Sequence, residues 1–175
     1  MKTATNFDLY VVEDDANYRE SLKHSLENNF KSLVNVKTFP TGESCVKVLE
    51  KTKEKPKVIV LDYVLNGKWK DAMNGINTMD RIKSLGGEIP VIILSGPNDT
   101  ELAIETLHLG ACDYVVKDKY AFNHIRNSIE KCLHQRELHN EVKKYKKIVL
   151  AVVGVVLFIL GWVVAAQIFA PGLFK

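Results

Sequence analysis

The sequence has little cysteine, and neither its cysteines nor its histidines are spaced as metal ligands. Three cysteines, Cys45, Cys112 and Cys132, are an odd number, which favours unreactive thiols in a reducing compartment. The first six residues lack the apolar core of a secretory signal. The sequence also lacks a large excess of either charge. Its 24 basic and 21 acidic residues leave a net charge of +3, which gives no argument for nucleic-acid binding.

One long apolar run is present near the C-terminal end. Residues 148–170 are 23 consecutive residues without a charge. As a helix they would span roughly 34 Å, against about 30 Å for the hydrocarbon core of a bilayer. A buried or oligomerising helix is the alternative. A core helix in so small a domain would normally show a polar face, so we predict a membrane-spanning helix with membrane lipid around it.

Basic residues are distributed unevenly about this run. Four lysines precede it within residues 143–147, whereas only Lys175 follows it. Positive charge usually stays on the cytoplasmic side, which predicts a single-pass membrane protein whose N-terminal domain is cytoplasmic. The lysines would also attract anionic lipid. Small residues near one face of the run leave a homodimer as an open alternative: Gly154, Gly161 and Ala165.

Before residue 148, strand and helix patterns alternate. Short apolar, β-branched runs predict strands at residues 7–12, 33–39, 58–61, 89–94 and 114–116. Helical spacing of apolar residues predicts helices at 16–28, 43–51, 74–85, 99–109 and 120–142. Such alternation is typical of an α/β fold, here a doubly wound, flavodoxin-like arrangement of five parallel strands covered on both faces. The last helix is expected to continue into the apolar run.

Polar residues stand where the predicted strands end. Asp62 directly follows the buried run Val58–Leu61, and a carboxylate there needs a nearby charge or metal. Because parallel strands place their C-terminal ends at one edge of the sheet, it should meet residues from three other strands. They are Glu13-Asp14-Asp15, Ser95 and Lys117. Grouped carboxylates suit Mg²⁺, and a carboxylate, a hydroxyl and an ammonium together suit phosphoryl transfer to the carboxylate.

These strand ends carry a family resemblance. Residues 9–15 (LYVVEDD), 58–62 (VIVLD), 91–96 (VIILSG) and 110–117 (GACDYVVK) occur in order, each at a strand end. Over roughly residues 6–135 the chain resembles the receiver domain of two-component response regulators. We therefore divide the chain into a receiver domain at 1–140, a basic juxtamembrane segment at 141–147, a transmembrane helix at 148–170 and a short tail at 171–175.

The resemblance implies a role for each strand-end residue. Asp62 would be the phosphoacceptor, and Lys117 would pair with the phosphoryl group. Mg²⁺ would be held by Glu13, Asp14, Asp62 and the backbone carbonyl of Val64. Ser95 would be the switch hydroxyl, and Tyr114 the aromatic residue that moves inward with it. Asp15 is better explained as the N-cap of the first helix than as a ligand.

The implied partners are a histidine kinase or phosphotransfer protein and an output protein, with no nucleic acid. The chain would catalyse its own phosphorylation and slow dephosphorylation without being a turnover enzyme, so its status as an enzyme stays open. Two alternatives remain: a scaffold or interaction module that is never phosphorylated, and a phosphate sink in a phosphorelay.

Three features depart from the family pattern. The loop after Asp62 is longer than usual at residues 66–73 and contains Trp69, which is either a partner contact or part of the domain surface. Lys117 is followed by Asp118 rather than by a proline, which leaves the conformation of that bond open. Val64 and Pro97 offer no side-chain hydrogen bond to a hydrolytic water, which predicts slow dephosphorylation.

Overall fold

The computed structural model describes residues 6–65, 73–86, 88–97 and 105–169. Its strands are β1 (Phe7–Val12), β2 (Val34–Phe39), β3 (Val58–Asp62), β4 (Val91–Ser95) and β5 (Asp113–Val116). Its helices are α1 (Ala16–Phe30), α2 (Gly42–Lys51), α3 (Gly75–Ser84), α4, described at residues 105–108, and α5 (Ala121–Phe169). Two compact units divide the chain, Met1–Leu133 and His134–Lys175.

The five strands form one parallel sheet in the order β2-β1-β3-β4-β5. This order confirms the predicted doubly wound, flavodoxin-like fold. Strand β1 pairs with β2 on one side and with β3 on the other, so the chain reverses its winding direction between β1 and β3. In such sheets the crevice beyond the strands' C-terminal ends at this reversal is the usual ligand site.

Both faces of the sheet are covered, as continuous apolar strands require. Every residue of β3 and β4 is buried. Alternate residues of one strand enter different cores: Val58 and Val60 pack in one with Leu22 and Ile125, whereas Ile59 and Leu61 pack in the other. The end of β3 is therefore fixed by packing on both sides, which gives Asp62 a rigid base.

Several predicted boundaries moved by a few residues. Leu33 belongs to a 3₁₀ turn, Lys31–Leu33, so β2 begins one residue later than predicted. Gly86, just after α3, has φ 69°, the left-handed conformation that glycine commonly adopts at the end of a helix. The start of α4, predicted at residue 99, lies outside the described residues.

Helix α5 runs without a break to Phe169, as its pattern predicted. Within the described residues no helix is both long enough and apolar enough to cross a membrane. The membrane-spanning segment at 148–170 and the tail at 171–175 stay predictions, as do the boundaries of the basic segment at 141–147.

Two of the three cysteines contradict the expectation of unreactive thiols. Cys112 and Cys132 form a disulfide, and Cys45 is buried as a free thiol. Cys112 immediately precedes β5, and Cys132 lies on the face of α5 that packs in the core. Packing of α5 brings the two together across a sequence separation of 20, which no short-range spacing signals. Cysteine usage therefore gives no argument for a reducing compartment.

Reduction of this disulfide should destabilise the domain. Closing a loop of about 20 residues restricts the unfolded chain, and the corresponding loss on reduction is about 3 kcal/mol in the free energy of unfolding. Urea unfolding of the full chain with and without dithiothreitol measures it, and Cys45→Ser should respond to reductant as the wild type does. Three titratable thiols in the unreduced, denatured protein would contradict the pairing.

Candidate active site at the carboxyl edge of the sheet

Three carboxylates meet beyond the ends of β1 and β3. Glu13 and Asp14 directly follow β1, and Asp62 is the last residue of β3. Oxygen atoms of all three lie within 4.8 Å of one another. Glu13 and Asp62 are buried, whereas Asp14 is exposed. Clustered carboxylates that face an open cleft are the donor set preferred by a hard divalent cation, so these residues fit Mg²⁺.

A single ammonium bridges the two buried carboxylates. Lys117 directly follows β5, and its Nζ lies 2.7 Å from Glu13 Oε2 and 2.8 Å from Asp62 Oδ2. The Lys117 side chain is only 22% exposed. The ends of β1, β3 and β5 thus supply one continuous charge cluster, as the strand-end pattern predicted.

Burial and charge shift the pKa values in this cluster. Burial, and then the negative charge of Asp62, raise the pKa of Glu13 to about 7, against the lowering effect of Lys117. Burial lowers the pKa of Lys117, but hydrogen bonds to Asp62 and Glu13 outweigh it and the net shift is upward. Lys117 therefore stays charged, and one ammonium serves a cluster of three carboxyl groups, which leaves room for a further positive charge.

Asp15 is the N-cap of α1, as expected. Its Oδ1 accepts hydrogen bonds from the backbone N–H groups of Asn17, at 2.8 Å, and Tyr18, at 3.0 Å. These bonds hold the pKa of Asp15 below its usual value. The cap fixes the turn between β1 and α1, on which Glu13 and Asp14 stand.

Two residues that the sequence reasoning missed support the cluster. The Nη1 atom of Arg19 donates to the backbone carbonyl oxygens of Glu13, at 2.7 Å, and Asp14, at 3.3 Å. The Tyr18 ring lies 4.8 Å from Lys117 Nζ in a cation–π contact, and its buried hydroxyl has no hydrogen-bond partner among the residues that the structure describes. Their sequence signal is their position in the first turn of the helix that follows the acidic residues.

Ser95 and Tyr114 also meet at this edge. Ser95 ends β4 and is fully buried, and its hydroxyl contacts the hydroxyl of Tyr114. The Ser95 hydroxyl also donates to the carbonyl oxygen of Gly96 at 3.1 Å. The sequence paired these two residues only through the family resemblance; the structure places their hydroxyl groups in contact.

The chain beyond Asp62 is held at both ends. The Val64 N–H lies 3.4 Å from Asp62 Oδ1, and Gly75 N–H donates to Tyr63 O at 3.0 Å. A Cβ on Gly75 would lie 2.6 Å from Tyr63 Cα, so only glycine allows this approach. Trp69 and the rest of residues 66–72 lie outside the described residues. The bond between Lys117 and Asp118 is trans, which answers the question left by the missing proline.

An open cleft of about 450 Å³ lies over the cluster. Its lining is mostly charged: Glu13, Asp14, Asp15, Asp62, Val64, Gly96 and Lys117. The three carboxylates and the Lys117 ammonium all face the same space, which is large enough for a phosphoryl group. The arrangement can bind a phosphorylated molecule and present a carboxylate oxygen to its phosphorus atom.

Comparison with known proteins agrees with this geometry. The family model described as the response regulator receiver domain matches residues 9–130. The transcriptional regulatory protein ZraR of Escherichia coli K12 is 33% identical over 131 residues, which cover 75% of this chain and 27% of that protein. FixJ of Bradyrhizobium diazoefficiens, also a transcriptional regulatory protein, is 27% identical over 129 residues, covering 74% of this chain and 58% of FixJ. This chain thus spans only about a quarter of the length of the ZraR proteins that it matches.

Solved structures share the fold. A response regulator receiver domain protein from Clostridium thermocellum superposes with a TM-score of 0.64 at 20% identity, over 75% of this chain and 98% of that one. NtrX from Brucella abortus superposes with a TM-score of 0.69 at 23% identity, over 80% of this chain and 29% of NtrX.

Proposed function

Because this chain belongs to the response regulator receiver family, we propose that Asp62 accepts a phosphoryl group from a histidine kinase or phosphotransfer protein. The observation that carries the proposal is the bridge from Lys117 to both Glu13 and Asp62. It joins the carboxylate expected to react with the ammonium expected to neutralise the incoming phosphoryl group. The receiver would then act through an output protein, with no part for nucleic acid.

In the proposed reaction an Asp62 carboxylate oxygen attacks the phosphorus atom. A new O–P bond forms while the bond from phosphorus to the donor's histidine nitrogen breaks, and the nitrogen leaves with that electron pair. Glu13, Asp14, Asp62 and the Val64 carbonyl would hold Mg²⁺, which supplies positive charge to the phosphoryl oxygens. Lys117 would turn from the carboxylates to a phosphoryl oxygen.

Ser95 and Tyr114 would transmit the effect of phosphorylation from Asp62 to the surface of the domain. If the Ser95 hydroxyl donates to a phosphoryl oxygen, its present contact with the Tyr114 hydroxyl must rearrange. Tyr114 lies on β5, so the rearrangement would alter the surface formed by α4, β5 and α5. Slow hydrolysis is expected, because neither Val64 nor Pro97 can hydrogen-bond the attacking water with its side chain.

Acetyl phosphate tests the proposal directly. With Mg²⁺, the intact mass of the full chain should increase by one phosphoryl group, and the modification should decay over minutes or longer. Absence of uptake, together with no response to beryllofluoride, would favour the unphosphorylated scaffold. A phosphate sink is distinguished in cells. If the chain is only a sink, an Asp62→Ala strain should overphosphorylate the kinase's other targets and lose no signal of its own.

We also propose that the chain is anchored to a membrane with the receiver in the cytoplasm. Support comes from the uncharged residues 148–170 and the lysines before them. The side chains of residues 148–159 are all exposed, among them Leu150 and Phe158 at 75%. Such a continuous apolar surface requires an apolar partner, and lipid matches its lack of polar groups.

Membrane insertion should be visible by alkaline extraction. The full chain, reconstituted in vesicles, should stay with the lipid at alkaline pH, whereas Val155→Arg with Phe158→Arg should be released, because charges at the middle of a spanning helix are costly. Glu141→Gln is the matched control outside the segment and should behave as the wild type. Extraction of the wild-type chain into the supernatant would refute the anchor.

A further inference from the structure

An exposed apolar stripe occurs where α5 is otherwise polar. Between His134 and Lys147 the only apolar side chains are Leu138, Val142 and Tyr145. Each is half exposed or more, at 51%, 50% and 67% respectively. All three lie within the continuous helix α5, so helical spacing decides which of them share a face.

The spacing is that of a coiled-coil seam. Val142 follows Leu138 by four residues, Tyr145 follows Val142 by three, and Val149 follows Tyr145 by four. In heptad terms these are d, a, d and a positions, which form one stripe along a helix. The stripe does not continue the core positions of Ile125, Ile129 and Cys132. From Cys132 the same spacing would reach Arg136 and His139.

Charges beside the stripe select a particular partner. Glu141 occupies the g position immediately before the heptad that contains Val142 and Tyr145, and Lys146 occupies the e position of that heptad. In two parallel helices in register, a g residue faces the e residue five positions later on the partner. Within the described chain neither Glu141 nor Lys146 makes an ion pair. The remaining lysines of this stretch lie at b, c and f, away from the seam: Lys143, Lys144 and Lys147.

We propose that residues 138–149 pair in parallel with the same segment of a second copy of this chain. Leu138, Val142, Tyr145 and Val149 would form the seam, and Glu141 of each copy would face Lys146 of the other. The pairing is independent of phosphorylation at Asp62. This pairing also differs from the homodimer that the small residues of the apolar run would form. Gly154 and Gly161 both fall at f positions, on the side of the helix away from the seam.

Charge variants test both the partner and its orientation. Two differently tagged full-length chains are mixed in detergent and their co-purification is measured. Glu141→Lys alone places lysine against lysine, and Lys146→Glu alone places glutamate against glutamate, so each should fail to pair with itself. A mixture of the two restores both opposite-charge contacts, and we expect at least about tenfold more capture than with either alone.

Matched variants separate the seam from its rivals. Gly154→Leu should not change capture, because a side chain there meets no other atom and points away from the seam. Tyr145→Cys should crosslink copy to copy, since only parallel chains in register bring residue 145 to its own equivalent. Equal capture of all charge variants, loss of capture in Gly154→Leu alone, or a monomer at every concentration would overturn the proposal.

Discussion

Asp62→Asn should lower phosphoryl uptake from acetyl phosphate by at least about 100-fold, to the level of the blank. The amide keeps the shape of the side chain and can still accept a hydrogen bond from Lys117. It lacks the carboxylate charge that makes the oxygen a nucleophile and a Mg²⁺ ligand. Uptake is measured by intact mass after incubation with acetyl phosphate and Mg²⁺.

Asp15→Asn is the matched control for this loss. Asp15 lines the same cleft, but its carboxylate caps α1 by accepting two backbone N–H groups. Asparagine caps helices about as well as aspartate, so this variant should fold and take up a phosphoryl group normally. If Asp62→Asn is modified as fully as the wild type, the phosphoryl group resides elsewhere and the assignment of Asp62 is wrong.

The strand-end argument predicted which residues meet because it depends only on topology. Any parallel sheet brings the C-terminal ends of its strands to one edge, so Glu13, Asp62 and Lys117 had to converge once the strands were identified. That a single lysine bridges both carboxylates depends on side-chain distances of a few ångströms. No sequence spacing contains that information.

Tyr18 and Arg19 were missed for a related reason. Tyr18 contacts a residue that follows β5, far away in the sequence. Arg19 binds backbone carbonyl oxygens only five and six residues before it, and no side-chain pattern marks a backbone acceptor. The disulfide is similar to the Tyr18 contact, because it joins the residue before β5 to the N-terminal part of α5. Local patterns predict strands, caps and glycine turns well, whereas contacts between distant elements arise only from packing.

Lys117→Met should lower the free energy of unfolding by about 3 kcal/mol at pH 8 without divalent cations, because it leaves two buried carboxylates without their counter-charge. Methionine keeps much of the side-chain volume, so the loss reports the charge. Lys119→Met is the matched control. Lys119 also lies over a tyrosine ring, at 4.9 Å from the Tyr120 centroid, but makes no ion pair within the described residues.

The pH dependence of this loss follows from Glu13. Its pKa is about 7 in the folded chain against 4.5 unfolded, so the folded state binds the extra proton and stability falls as pH rises from about 4.5 through 7. Removing Lys117 raises the pKa of Glu13 further, since the lysine lowers it. The difference between Lys117→Met and the wild type should therefore shrink from pH 8 to pH 5, where Glu13 is protonated in both. Mg²⁺ should also reduce it at pH 8. Urea unfolding at both pH values, with EDTA or Mg²⁺, measures these effects, and a loss that grows toward acid pH would contradict this account of the charge cluster.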